Sequence, residues 1–265
     1  MSLGITAELN LNKMRMLKDK SEFKKENQES WEKNISYWLN SSLRQVEDTK
    51  LFFKEKLKEI LKSGMTVVDM GCGSGWLLDF LSELDIPFIY IGLDFNSKFI
   101  EHLKLKYSQI SNASFETVDL EEGVTDKFLH CADVVYNCFN FFETANLDSA
   151  FANGVRMLKP DGKLVIFTID YTYLILAVSH SMEEFKSNLK MYEEIKSKGE
   201  VPYFFQNIDL GDAESRDLKY ASVLYSFDDY FKQAQKHQMS LADYGEVVKT
   251  SKFLPKTYQY IVFKK

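Results

Sequence analysis

Cysteine, histidine, basic charge and long apolar runs are all scarce in this 265-residue chain, and each scarcity argues against a class of function. Cys72, Cys131 and Cys138 are odd in number and form no CxxC pair, which speaks against a disulfide framework or a thiolate metal site and for a reducing compartment. The four histidines, His102, His130, His180 and His237, are scattered. No closely spaced His, Asp and Glu set offers a chelate, so no metal is expected. The greasiest region, Leu164 to Val178, is broken by Asp170 and is too short to span a bilayer, and the start does not resemble a signal peptide. A cytoplasmic protein with no membrane partner is therefore expected. With 33 Lys and Arg against 39 Asp and Glu, the net charge is -6, which disfavours broad binding to a phosphate backbone. Nucleic acid is not an expected partner. Lys13, Lys18, Lys20, Lys24 and Lys25 are mixed with acids and read as a solvated helix face.

A hydrophobic content of 45% over this length can bury a sizeable core, and the length fits one domain with insertions. The most informative stretch is Val67-Val68-Asp69-Met70-Gly71-Cys72-Gly73-Ser74-Gly75-Trp76-Leu77-Leu78. Val67 to Met70 suit a buried parallel strand, the glycines let backbone approach a ligand closely, and Trp76 opens a helix whose first N–H groups are free. A dinucleotide fingerprint would place its third glycine where Trp76 stands, and would not put a carboxylate beside a pyrophosphate. Asp69 suits the cationic end of a ligand better. By itself such a loop is also what any tight strand-to-helix turn requires.

The next elements add weight. Phe88 to Leu93 reads as a second strand ending in Asp94, and Asn96 caps a helix running to about Ile110. Asp94 stands where a ribose diol is gripped, because a carboxylate accepts bonds from two vicinal hydroxyls; it is equally suited to be a helix-entry acid. A third strand, Ala113 to Val118, ends at Asp119 and Leu120, and a fourth, Asp133 to Cys138, runs into Phe139-Asn140-Phe141-Phe142-Glu143. A helix from about Asn146 to Leu158 and the turn Lys159-Pro160-Asp161-Gly162 lead into a fifth strand, Lys163 to Ile169. The pattern is α/β and doubly wound.

With these motifs in view, the chain resembles the class I S-adenosylmethionine-dependent methyltransferases, in particular the small-molecule branch labelled type 11 or 25. The carriers are VDMGCGSG at 68 to 75, GLD at 92 to 94, VDL at 118 to 120, ADVVYNCFNFFE at 132 to 143 and LKPDGKLVI at 158 to 166. The resemblance implies a Rossmann-like seven-stranded sheet, parallel except for an antiparallel last strand, with S-adenosylmethionine as donor and S-adenosylhomocysteine as product. It implies that Asp69, Gly71 and Gly73 line the methionine part, with Cys72 in the same loop, and that Asp94 holds the ribose. Phe95 would flank the adenine, Asp119 and the Leu120 backbone would meet its amino edge, and the Asn137 carbonyl would face the donor's ammonium. Phe139 is a further cofactor candidate. Trp76 is bulkier than the small residue often found there and is expected to pack under a cap.

The flanks hold what distinguishes the substrate. Residues from about Leu9 to Lys62 read as an N-terminal helical cap (1–62), with Trp31, Ile35, Trp38 and Leu39 at helical spacing and Leu51 to Leu61 as a second amphipathic helix. Trp31 and Trp38 either cement that cap or line the pocket, and Tyr37 lies off the stripe. A lid insertion is expected after the fifth strand, at 170–227. It holds a charged helix near Glu183 to Lys198 and a hairpin of Pro202 to Leu210 and Leu218 to Ser226, turned at Gly211-Asp212-Ala213-Glu214. Ser226 and Asp229 read as a capping box, and Leu241 to Val248 and Tyr258 to Phe263 as the last strands.

Methyl transfer from a sulfonium is an in-line displacement, so catalysis rests on alignment and water exclusion. Tyr171, Tyr173, Tyr203, Phe204 and Phe205 are candidates for an aromatic pocket, although strand alternation turns about half of them into hairpin core. For a hydroxyl acceptor the candidate bases are His180, Asp170 and Tyr171. For an amine, a carboxylate such as Glu143 or Asp170 would bind it and take its proton. A nicotinamide-dependent dehydrogenase would need the shifted third glycine and a Tyr-x-x-x-Lys or similar acid, and no such match stands near the fifth strand. The Asn/Asp-Pro-Pro-Tyr signature of amide or base methylation is absent where Asn137-Cys138-Phe139-Asn140 stands, which favours a small acceptor. A non-catalytic donor-binding module and a protein-directed methyltransferase stay open, as does the choice between monomer and homodimer.

Overall fold

In a computed structural model, residues 14–17, 19–33, 35, 36, 39, 50–177, 179, 181–208, 218–250 and 255–265 are described. The expectations placed on His180, Tyr37, Trp38, Lys13, Lys18 and the turn at 211–214, and on the side chain of Phe205, lie outside the described residues. The chain runs β1 (Arg15–Met16), α1 (Lys20–Lys33), α2 (Lys50–Ile60), β2 (Met65–Met70), α3 (Trp76–Ser82), β3 (Phe88–Asp94), α4 (Ser97–Lys106), β4 (Ala113–Thr117) and β5 (Ala132–Cys138). It continues through α5 (Leu147–Met157), β6 (Leu158–Ile169), α6 (Tyr171–Ala177), α7 (Met182–Ser197), β7 (Pro202–Ile208), β8 (Leu218–Val223), α8 (Phe227–Lys236), β9 (Ser240–Thr250) and β10 (Pro255–Lys264).

Seven strands form one sheet in the order β4-β3-β2-β5-β6-β10-β9. Parallel pairing links β4, β3, β2, β5 and β6, and β10 runs antiparallel to both β6 and β9. This is the expected α/β class. Strand alternation divides the core: Val68, Val135, Leu164 and Ile166 pack with α5 and α8 on one face, while Val67, Val134, Val165 and Phe167 pack with α2, α3 and α4 on the other. Strand order reverses around β2, so the carboxyl ends of β2, β3 and β5 open a crevice there.

Three local expectations are corrected. The first flank is not helical throughout: Arg15–Met16 pairs antiparallel with β7, completing a second sheet of order β1-β7-β8, and the Leu17 amide donates to the Val201 carbonyl at 2.8 Å. That pairing satisfies groups on an otherwise open edge of β7, a long-range gain with no local signature. The helix before the fifth expected strand ends at Met157, and the turn at 159–162 is a bulge within β6. Leu158 pairs with Ala132 and Lys163 with Val134, and Asp161 is left-handed (φ 63°). Helix α4 stops at Lys106 rather than near Ile110. The residues after Asp170, for which no element is expected from the sequence, form a short helix, and the Asp170 Oδ1 accepts the Thr172 amide at 2.9 Å at the start of α6.

The segment between β6 and α8 carries its own small core of Leu174, Ile175, Tyr192, Ile195, Phe204 and Leu224, joined by Met14 from the N-terminal flank. The capping box at α8 is present, with the Ser226 hydroxyl accepting from the Asp229 amide and the Asp229 carboxylate accepting from the Ser226 amide. No described helix is long and apolar enough to cross a membrane.

Candidate functional site

The crevice is built on the turn from β2 into α3. Gly71, Gly73 and Gly75 all take left-handed φ values, which lets the chain reverse over the strand ends. At Gly71 a side chain is excluded twice, since its φ is 76° and a Cβ would fall 2.4 Å from the Asn140 side chain. At Gly73 nothing lies within 4 Å of where a Cβ would sit, so that backbone faces open space. The Gly71 and Cys72 amides both donate to the Leu93 carbonyl, at 2.8 and 3.0 Å, tying the loop to the end of β3.

Two buried carboxylates flank this loop. Asp94 Oδ2 accepts the Gly73 amide and Oδ1 the Asn96 amide, each at 2.9 Å, which fixes the carboxyl plane. Burial nevertheless pushes its pKa up to about 6 against those two bonds. Asp69 Oδ2 accepts the Tyr90 hydroxyl at 2.6 Å, while Asp69 Oδ1 is buried without a partner. Its pKa rises to about 7, first through burial, with the Asp94 charge adding to it and the Tyr90 bond opposing it. Cys72 is a buried free thiol between them, raised well above its ordinary value by desolvation and by both acids.

The open side of the crevice is lined by Gly71, Phe95, Asp119, Leu120, Asn140 and Glu143, with Lys24 and Asn27 facing them from α1. Phe95 is the aromatic ring on this wall among the described residues. Asp119 Oδ1 accepts the Glu121 amide at 2.9 Å and its Oδ2 pairs with the Lys24 ammonium, which also reaches Glu122 at 3.3 Å. The Leu120 carbonyl accepts the Asn153 amide nitrogen at 2.9 Å. Asn137 is fully buried; its Oδ1 accepts the Phe141 amide at 3.0 Å and its Nδ2 donates to Asn140 Oδ1 at 3.3 Å, shaping the turn that carries Glu143. Burial pushes the Glu143 carboxyl well up, the Asp94 charge adds to this, and hydrogen bonding from Trp31 opposes it.

Phe139 is left-handed (φ 60°) and packs 6.2 Å from Trp76, 5.8 Å from Phe53 and 6.0 Å from Tyr258, so Trp76 joins an aromatic cluster beside the loop. Asp170 and Tyr171 stand at the end of β6 in a separate contact group. Asp170 Oδ2 accepts from Gln259 Nε2 at 3.0 Å, and the Tyr171 ring stacks on Tyr192 at 4.3 Å. Phe204 and Tyr203 are used in packing: Phe204 is fully buried and Tyr203 meets Phe23 of α1 edge-on at 5.3 Å.

The site also recruits residues that carry no motif. Tyr90 is a lone hydroxyl in an apolar strand, a signal that a buried acceptor lies nearby. Asn27, whose Nδ2 donates to the Glu143 carbonyl at 3.1 Å, and Lys24 look like ordinary positions of a polar helix. The Trp31 ring meets Phe99 edge-on at 6.0 Å and also reaches Glu143, so it serves both packing and the crevice wall.

Comparison with known proteins agrees with this geometry. Residues 67–162 match the family described as a methyltransferase domain. The chain is 30% identical over 155 residues to the mitochondrial ubiquinone biosynthesis O-methyltransferase of Bos taurus, covering 52% of this chain and 41% of that protein. It is 24% identical over 129 residues to the citrinin polyketide synthase of Monascus ruber, covering 46% of this chain and 5% of the synthase. The chain thus spans less than half the length of these curated relatives. A methyltransferase structure from Methanosarcina mazei superposes with a TM-score of 0.58 at 15% identity, covering 79% of this chain and 96% of that one, which shows the shared fold. Residues 67–162 are thus similar to methyltransferase domains, and the chain shares the fold of a methyltransferase of known structure.

Proposed function

We propose that this chain moves a methyl group from S-adenosylmethionine to the oxygen or nitrogen of a small organic acceptor, with the cap (1–62) and lid (170–227) closing over one domain. The observation that carries the reading is the pair of carboxylates at the glycine loop, Asp94 fixed by two backbone amides and Asp69 with one buried oxygen unpaired. These residues fit the donor. Asp94 keeps lone pairs for a ribose diol, the unpaired Asp69 oxygen suits a cationic end, and the open backbone at Gly73 admits a close ligand. Gly71 and Cys72 shape the same loop, Phe95 would lie along the adenine, Asp119 and Leu120 would meet its edge, and Asn137 would offer its carbonyl. Phe139 supports the loop from behind.

When bound, the donor supplies an electrophilic methyl on a sulfonium whose charge is lost in the displacement. What the chain does is align and exclude water. Proton removal from a hydroxyl acceptor falls to His180, Asp170 or Tyr171; Asp170 is held in place by Thr172 and Gln259. The bovine relative is named for O-methylation, which supports an oxygen acceptor. A second reading, a donor-binding module without turnover, draws on the same contacts: Asp170 already accepts two partners and Tyr171 is stacked on Tyr192. Incubation with methyl-labelled donor and a panel of small phenols, acids and amines separates the two. Label in a small acceptor is expected; label only in added protein, or none while donor binds, would overturn the small-acceptor reading.

A further inference from the structure

We propose that Glu143 is a donor-binding residue whose carboxylate receives the ammonium group of the bound methyl donor. The inference deepens the reading above and rests on it. Glu143 ends the turn Phe141–Glu143 and lines the crevice beside Gly71 and Asn140. Its turn is held from both sides, because Asn27 Nδ2 donates to the Glu143 carbonyl while Asn27 Oδ1 accepts the Ala221 amide at 3.4 Å. The backbone of this turn is thus braced by α1, which is itself tied to β8.

No described lysine or arginine forms an ion pair with it. Lys24, the cation on this wall, is taken by Asp119 and Glu122. The groups that act on the Glu143 carboxyl are the Asp94 charge from β3 and the Trp31 side chain from α1, and the same wall carries Asp119 and Glu121. A half-buried carboxyl among acids, with a neutral hydrogen-bonding partner, is stabilised as an anion only by a cation from outside the chain. The unpaired oxygen of Asp69 records the same deficit at the neighbouring strand end. Three parts of the donor divide among the acids present: the diol to Asp94, the adenine edge to Asp119, and the amino-acid end to Asp69 and Glu143. An ammonium donating to Glu143 forms a charge-assisted bond with its carboxylate.

The test is calorimetric titration of the full chain and of Glu143→Gln with S-adenosylhomocysteine and with 5′-methylthioadenosine, which lacks the amino-acid end. Glu143→Gln should bind S-adenosylhomocysteine roughly tenfold or more weakly. It should bind 5′-methylthioadenosine unchanged. Glu143→Asp, which keeps the charge on a shorter stem, should show the same ligand-selective loss to a smaller degree. Unchanged affinity for S-adenosylhomocysteine in Glu143→Gln, or an equal loss for both ligands, would overturn the proposal. Failure of the unaltered chain to bind S-adenosylhomocysteine would instead overturn the donor-site reading.

Discussion

The crevice at the glycine loop and the segment after β6 use opposite kinds of order. Around Gly71 to Asn96 the parts are short and local: a strand, a left-handed turn, an acid held by the amides of Gly73 and Asn96. The segment after β6 is assembled at a distance. Its sheet takes β1 from the N-terminal flank, its core takes Met14, and Asn27 bridges from α1 to both Glu143 and β8. A crevice made of local parts keeps its geometry as long as the sheet stands. A segment made of distant parts depends on each pairing that closes it.

The sharpest way to break this contrast is Phe23→Ala. Phe23 is buried on α1 and meets Tyr203 edge-on, and its loss should cost about 3–5 kcal/mol of stability, read from denaturant or thermal unfolding. Affinity for S-adenosylhomocysteine, measured where the chain stays folded, should fall much less. Equal damage to binding would mean that the two regions are one unit. Gly71→Ala probes the other side. Its Cβ would clash with Asn140 in a left-handed backbone, so about 1–3 kcal/mol of strain is expected and donor binding should fall beyond detection in the same titration.

Asp94→Ala should weaken S-adenosylhomocysteine binding by about 1–3 kcal/mol, the usual loss for a charge-assisted hydrogen bond. An unchanged affinity would remove Asp94 from the ribose site. The same acid predicts a pH effect with a definite sign. Asp94 and Asp69 hold protons in the folded chain up to about 6 and about 7, whereas unfolded they ionise near 3.8. The folded state therefore binds more protons across that window, and stability of the free chain falls as pH rises from about 4 to 7. In Asp94→Asn its share of that slope should vanish in unfolding curves collected across the range; an unaltered slope would show that the carboxyl is not desolvated.

The smallest effect belongs to Lys24→Ala. Its pairs with Asp119 and Glu122 lie partly in solvent, so less than about 1 kcal/mol of stability is expected, shrinking further in high salt. Thermal unfolding at low and high salt reads it directly.

How much was legible in the sequence follows from the same contrast. Asp69, the glycines, Asp94 and Asp119 are readable because their positions depend on strand ends and turn chemistry set within a few residues. Ser226 with Asp229 was equally readable. Arg15–Met16 was not, since a two-residue strand is defined only by its partner β7. Helix α6 was hidden because its start is an Asp170 side chain that also suits a catalytic acid. The aromatic residues of the lid read as a pocket, yet Phe204 and Tyr203 are used in packing, an outcome that alternation along a strand allows but does not assign. Lys24 and Asn27 had no signal, because a polar residue on a polar helix gains meaning only from what faces it.

On the proposed function, the crevice at the carboxyl end of β2 and β3 takes a sulfonium-type methyl donor through Asp69 and Asp94. Calorimetric titration of the chain with S-adenosylhomocysteine, with NADH as the control ligand and Asp94→Ala in parallel, tests it most directly. Binding of S-adenosylhomocysteine at roughly micromolar affinity, none of NADH, and a clear loss in Asp94→Ala are the predicted results. No binding of S-adenosylhomocysteine, or binding that Asp94→Ala leaves intact, would contradict it.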